Sequence, residues 1–266
     1  MPSMRPRRKR SASSVAAFAL CALASPAAAG DPLDTLIAAY PDGLAGRAGN
    51  ALVFRDGTRL DAGMSDSAAP FATLLAHASI RDMFRIPYPQ GAAIAPPLRD
   101  FDPGRFRNKG FFDELYGDCR KGGVEKNLVH LIWLPKSAHQ DIVFTAKNGA
   151  AKALEDVSRE IDAMPASIRA AAAPTAGTYA CRGVADQGQP SMHAYGAAID
   201  LNLKVSNYWL WDWGANAASI PYKNRMPREI VNAFERRGFI WGGRWYHYDT
   251  MHFEYRPELL APAASR

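Results

Sequence analysis

Two short runs far apart in the chain, residues 191–202 (SMHAYGAAIDLN) and 249–255 (DTMHFEY), constrain it more than any other feature. Each carries a histidine and a carboxylate and contains a strand-like apolar stretch. The first holds His193 and Asp200 with Gly196 between them, and the second holds Asp249, His252 and Glu254. Two imidazoles and one carboxylate from separate segments make a zinc ligand set that leaves the fourth position to water. A fold that uses them must bring the two runs side by side. Either histidine alone reads more often as a satisfied structural residue, and the set is what carries the signal. In a strand Glu254 lies on the same face as His252, because side chains alternate. Asp249 sits at the strand's entrance, where a turn can swing it toward a metal.

Composition removes other classes. With 48% hydrophobic and 22% charged residues the 266-residue chain is ordinary for a globular protein. Its net charge of +6 is concentrated at the start: Arg5, Arg7, Arg8, Lys9 and Arg10 precede any acidic residue, and the remainder is close to neutral. That argues against nucleic acid as a partner. The same basic cluster precedes an apolar run at 15–25 and the small residues Ala27 and Ala29, the layout of a secretory signal peptide cleaved after Ala29. The apolar run is shorter than the ~20 residues of a spanning helix. The expectation is an exported protein, periplasmic or secreted, with no stable membrane insertion. Cys119 and Cys181 then remain in an oxidising compartment and are expected to pair, with two free buried thiols as the alternative.

Along the chain, Asp31 and Pro32 predict a helix start and Asp56-Gly57 a hairpin turn. Residues 67–84 contain helical spacing, with His77 a packing or surface residue, and 86–104 read as a Pro/Gly-rich extended loop. LVHLIWLP and DIVFTA read as adjacent buried strands, with His130 and His139 structural. Asn148 is expected to cap a helix with Leu154, Val157 and Ile161 on one face. TYACR reads as a strand leading to Arg182, NYWLWDWG as an aromatic loop, and the segment from Pro227 to Gly238 as a helix. Trp209, Trp211 and Trp213 fit either a groove wall or a core. The fold class is α+β, with a mainly antiparallel sheet and flanking helices.

The run ACRGVADQGQPSMHAYGAAIDLN, followed by YDTMHFEY, resembles the zinc D-alanyl-D-alanine carboxypeptidase family of peptidoglycan peptidases, which includes vancomycin-resistance carboxypeptidases and L-alanyl-D-glutamate endopeptidases. The resemblance spans roughly residues 105–257. It rests on S-x-H-x-x-G-x-A-x-D with a downstream carboxylate-x-x-H. It implies a Hedgehog-like zinc domain over 105–266 after a leader at 1–29, with 30–104 of unassigned role packed on the catalytic domain. It also implies zinc on His193, Asp200 and His252, Asp249 as general base, Arg182 facing the scissile carbonyl and Ser191 near the substrate. Glu254 remains a rival base or a group behind His252, and His247 a substitute ligand, a substrate contact or a rim residue. Many carboxypeptidase members carry Glu where this chain has Asp249, and an Asp occurs in the endopeptidase-like branch. The implied activity is hydrolysis of peptidoglycan stem peptides, with a D-alanyl-D-alanine carboxypeptidase first and the endopeptidase as the alternative. A non-catalytic zinc-bearing cell-wall module and a structural metal protein stand behind both.

Overall fold

Asp31 and Pro32 open the first helix as the sequence predicts. In the computed structural model, which describes residues 30–182 and 189–260, Asp31 accepts from the Leu33 N–H and Pro32 occupies the first turn of α1, Pro32–Ala39. The leader-like segment and its cleavage point lie outside the described residues, as do residues 183–188 of the motif region. From Asp31 onward the chain forms one unit. Strands β1 (Leu44–Ala48), β2 (Ala51–Phe54) and β3 (Arg59–Asp61) follow as an antiparallel meander, with the Asp56-Gly57 turn between the last two. Helices α2 (Phe71–His77) and α3 (Lys109–Tyr116) flank the long loop.

β4 (Leu128–Trp133) and β5 (Gln140–Thr145) pair antiparallel as a sheet of their own. They are not both buried on two faces, because Val129 and Ile132 are exposed while Leu131, Trp133 and Phe144 point inward. Helix α4 (Ala150–Asp162) buries Leu154, Val157 and Ile161 as its spacing requires. Its cap is Gly149; Asn148 adopts a left-handed backbone in the preceding 3₁₀ turn, which carries its amide away from the helix start. A short α5 (Ala166–Arg169) follows. TYACR forms no strand, and only Gly177 bridges to the sheet, at Asp200. The expected aromatic loop contains helix α6, Trp209–Trp213, and α7 (Arg228–Glu235) packs Ile230 and Phe234 inward.

The third sheet positions the site. Strands β6 (Ala198–Asp200), β8 (His252–Tyr255) and β7 (Phe239–Trp241) run antiparallel with β8 in the centre. Phe253 stacks on Phe234 of α7 at 4.0 Å between ring centroids, while His252 and Glu254 take the opposite face. One core extends from Leu33 and Phe111 through Trp133 and Leu154 to Phe234 and Phe253. The class is therefore α+β as expected, with the strands divided among three small antiparallel sheets. Cys119 and Cys181 form a disulfide across 62 residues. By chain entropy such a loop closure stabilises by about 4 kcal/mol.

Candidate metal centre and active site

Register brings the candidate ligands together. Asp200 of β6 stands directly opposite His252 of β8, where facing side chains lie about 5 Å apart at their Cβ atoms. A slip of one residue in either strand would turn its member of the pair to the other face. His193 arrives from a 3₁₀ turn, Met192–Tyr195, that Ser191 caps by accepting from the His193 N–H. Gly196 ends that turn at φ +64, and a Cβ there would lie 2.5 Å from Leu128. Glycine is what lets the turn close against the β4–β5 sheet.

The three inner atoms nearly touch. His193 Nε2 lies 3.1 Å from Asp200 Oδ1 and 3.2 Å from His252 Nδ1, and His252 Nδ1 lies 3.1 Å from the same oxygen. Tetrahedral zinc with bonds of about 2.0–2.1 Å has ligand–ligand edges of roughly 3.3 Å, so the spacing fits. Outer hydrogen bonds settle which atoms face inward. His193 Nδ1 donates to the Thr178 carbonyl at 2.8 Å, and His252 Nε2 faces Glu254 Oε2 at 2.9 Å. With those protons turned outward, both inner nitrogens are lone pairs aimed at a carboxylate oxygen. Three acceptors that converge in this way form a cluster that could hold a cation.

The electrostatics agree. Burial disfavours the His252 imidazolium, but Asp200 and Glu254 outweigh it and push its pKa up to about 10. Burial likewise works against ionised Asp200, yet the two imidazoles hold its carboxyl far below its ordinary range. The cluster thus favours a proton on His252, held between the Asp200 and Glu254 carboxylates.

Behind His252 the charges are densely paired. Glu254 is fully buried and accepts from Arg107 Nη2 at 2.5 Å and from Arg256 Nη1 at 3.1 Å, in addition to facing His252. Arg256 continues to Glu258 at 2.5 Å, which in turn accepts from the Tyr40 hydroxyl. Although burial raises the Glu254 pKa, Arg107 and the hydrogen bond from His252 hold it well below the usual carboxylate range. Both of its oxygens are occupied, and it does not line the cavity.

The cavity in front, of about 390 Å³, is walled by the three ligands with Arg105, Arg182, Ser191, Trp211, His247 and Asp249, among others. Asp249 is brought in by a close backbone approach: its N–H donates to the Gly242 carbonyl at 3.0 Å, and a Cβ on Gly242 would lie 2.5 Å from the Asp249 carbonyl. Its Oδ1 is buried and has no partner. Burial, and then the Asp200 charge, raise its pKa to about 7, against the pull of His252, Arg105 and Arg182. Arg182 follows the disulfide directly, and its carbonyl accepts from the Ser191 N–H at 3.2 Å.

His247 is placed on the cavity wall by a residue that sequence reading passed over. Asp102, fully buried in the Pro/Gly-rich loop, accepts from His247 Nδ1 at 2.7 Å and from its backbone N–H at 3.1 Å. Arg105 Nη1 pairs with the same carboxylate at 3.0 Å. Burial opposes ionised Asp102, but Arg105 and the His247 hydrogen bonds keep its pKa lowered. The alternation Arg105-Phe106-Arg107 was the available signal, since it sets two arginines on one side of an extended segment. Of the tryptophans, Trp209 is buried edge-on to His247 at 4.9 Å, whereas Trp211 is 64% exposed at the cavity's lip. His77, His130 and His139 lie outside this cavity.

Among the described residues no helix is long and apolar enough to cross a membrane. In comparisons with known proteins, none of the curated proteins and none of the solved structures matches the chain. Residues 185–255, which include all three ligands together with Asp249, match the family model described as D-alanyl-D-alanine carboxypeptidase, and over this stretch the chain is similar to zinc peptidases of that family.

Proposed function

We propose that the protein is an exported zinc peptidase that trims peptidoglycan stem peptides as a D-alanyl-D-alanine carboxypeptidase. One observation carries catalysis over a structural metal: the buried Asp249 oxygen without a partner, beside a three-ligand constellation. A purely structural site has no use for an unsatisfied carboxylate, whose burial opposes folding. The spacing and donor set of His193, Asp200 and His252 fit zinc, which when bound would activate a water near neutral pH and polarise the scissile carbonyl.

The chain's own residues supply the rest. Asp249 takes the proton from the attacking water, general-base work suited to a pKa near 7. Arg182 on the same wall offsets the negative charge that develops on the carbonyl oxygen. Ser191 holds the turn that carries His193 and borders the substrate. Glu254 fixes the tautomer and orientation of His252. Residues 30–104 act as part of the catalytic domain, because Asp102 orients His247 and the Gly104 carbonyl accepts from Arg256 at 2.8 Å.

Asp249 in place of Glu supports the second reading, cleavage of an internal L-alanyl-D-glutamate bond. Mass spectrometry of stem pentapeptides incubated with the mature protein separates the two. Loss of one terminal alanine, abolished by chelation and restored by zinc, is the expected result. Two internal fragments assign the endopeptidase activity. Unchanged peptides, or turnover indifferent to chelation, would overturn the zinc-peptidase reading.

A further inference from the structure

Arg182 belongs to two walls at once. It lines the cavity of the candidate metal centre, and it also lines a second, open cavity of about 370 Å³ that contains Cys119 and Cys181. Cys181 is exposed and Cys119 half-buried, so their disulfide can be reached from that cavity. The segment 176–182 that leads to Arg182 is held unevenly along its length. Near its start the Ala176 N–H donates to the Asp200 carbonyl at 2.8 Å, the Thr178 carbonyl accepts from His193 Nδ1 at 2.8 Å, and the Tyr179 hydroxyl donates to Glu125. Toward its end the bonds lengthen: Ala180 N–H to the His193 carbonyl and Ser191 N–H to the Arg182 carbonyl are both 3.2 Å. The Arg182 guanidinium has no hydrogen-bonded partner among the described residues. The covalent bond at Cys181 is therefore what fixes the chain beside Arg182. Cys119 opens a 3₁₀ turn, Cys119–Lys121, that Asp118 caps, and this turn has its own hydrogen bonds. Lys109, Arg120 and Arg182 outnumber Asp113 and Asp118 around the second cavity. Neighbouring cations favour thiolate over thiol, both for an attacking sulfur and for a leaving one.

Resting on the peptidase reading above, we propose that the disulfide of Cys119 and Cys181 is a thiol-exchange site that takes a small thiol and switches peptidase activity through the position of Arg182. The small thiol gives up its proton to solvent and its sulfur attacks Cys181 Sγ. The S–S bond breaks, and Cys119 leaves as a thiolate that takes a proton from solvent. A second small thiol then displaces Cys181 from the mixed disulfide. Two small thiols are oxidised to their disulfide while the protein disulfide is reduced to two thiols. Released at Cys181, Arg182 loses its fixed place on the active-site wall, whereas the short bonds nearer the start of the segment keep His193 and Asp200 in theirs. The reduced form is slow and the oxidised form fast. Such a chain gains its activity on passing from a reducing compartment to an oxidising one.

The test compares the zinc-loaded parent and Arg182→Ala before and after treatment with reduced glutathione, with free zinc held constant. Alkylation and intact mass should count two new thiols in the treated parent, and a trapped intermediate should carry glutathione on Cys181. On a D-alanyl-D-alanine peptide, kcat of the reduced parent should fall by about tenfold to a hundredfold, up to the cost of losing one contact to a developing oxyanion. Zinc content and circular dichroism should stay at their untreated values, and oxidised glutathione should restore turnover. In Arg182→Ala, already slow, the same treatment should change kcat by no more than about twofold, because two changes that act through one contact do not add. A protein carrying both Cys119→Ser and Cys181→Ser should match the reduced parent and ignore glutathione. Four results overturn the switch and leave the peptidase reading standing: full turnover after complete reduction, loss of zinc or fold together with turnover, an equal fold-loss in Arg182→Ala, or a disulfide that glutathione leaves intact. An oxidised, zinc-loaded parent that cleaves no stem peptide overturns the peptidase reading, and this proposal with it.

Discussion

The carboxylates on the two sides of His252 are built to opposite rules. Behind it, every carboxylate oxygen of Glu254 and Glu258 has a partner from Arg107, Arg256, Tyr40 or His252 itself, and all of these groups are buried. In front of it, Asp249 has a buried oxygen with no partner, and His247 keeps a ring nitrogen unengaged among the described residues. Paired charges hold geometry. Unpaired ones, kept at an energetic disadvantage on a cavity wall, are where a substrate or a metal completes the set. The side on which a charged residue lies therefore predicts whether its loss harms the scaffold or the reaction.

The largest effect should come from the boundary between the two sides. Replacing His193, Asp200 or His252 by alanine is expected to abolish zinc retention and hydrolysis together, as read by metal analysis and a peptide assay. A fully loaded His193→Ala protein would remove that residue from the centre. Next, on the front side, Asp249→Asn should keep zinc and melting temperature while kcat falls by about a hundredfold to ten-thousandfold. Parent-like turnover in that variant would place the base elsewhere.

On the rear side the pattern should invert. Glu254→Gln leaves Arg107 and Arg256 short of a buried counter-charge, so unfolding free energy should drop by roughly 3–5 kcal/mol. Zinc affinity should weaken by about tenfold to a hundredfold. A variant with normal affinity and stability but no turnover would transfer the base role to Glu254 and erase the front–rear distinction. The smallest effect is set by protons. With the His252 pKa raised to about 10, the metal-free centre holds a proton at neutral pH that zinc must displace. Apparent zinc affinity, measured by chelator competition, should therefore rise about tenfold per unit between pH 7.5 and 9. A flat profile in that window would show that no such proton is held.

Much of this was legible in residue order, for a physical reason. The cluster of His193, Asp200 and His252 was readable because His193, Gly196 and Asp200 sit in one short segment, and Asp249 and His252 in another, so local spacing encodes the geometry. Helices with explicit ends, such as α1 from Asp31 and Pro32, were equally open. The disulfide followed from the expectation of export combined with two remaining cysteines. What stayed hidden is long-range and polar. Asp102 meets His247 across 145 positions and Arg107 meets Glu254 across 147, from a segment that forms neither helix nor strand. Nor could apolar composition show that Val129 and Ile132 face outward, because the strand's exposed side is itself apolar. In α6, the three tryptophans read as an aromatic loop that fits either a groove wall or a core, whereas in the helix Trp209 and Trp211 lie about half a turn apart, one buried and one exposed.

A zinc held by His193, Asp200 and His252 would be bound through two imidazole nitrogens and one carboxylate oxygen. X-ray absorption at the zinc edge of the purified, disulfide-intact protein tests it most directly. One zinc per chain is expected, with imidazole scattering and nitrogen or oxygen neighbours at about 2.0–2.2 Å. A sulfur shell near 2.3 Å, or a protein that takes up no zinc at neutral pH, would contradict it.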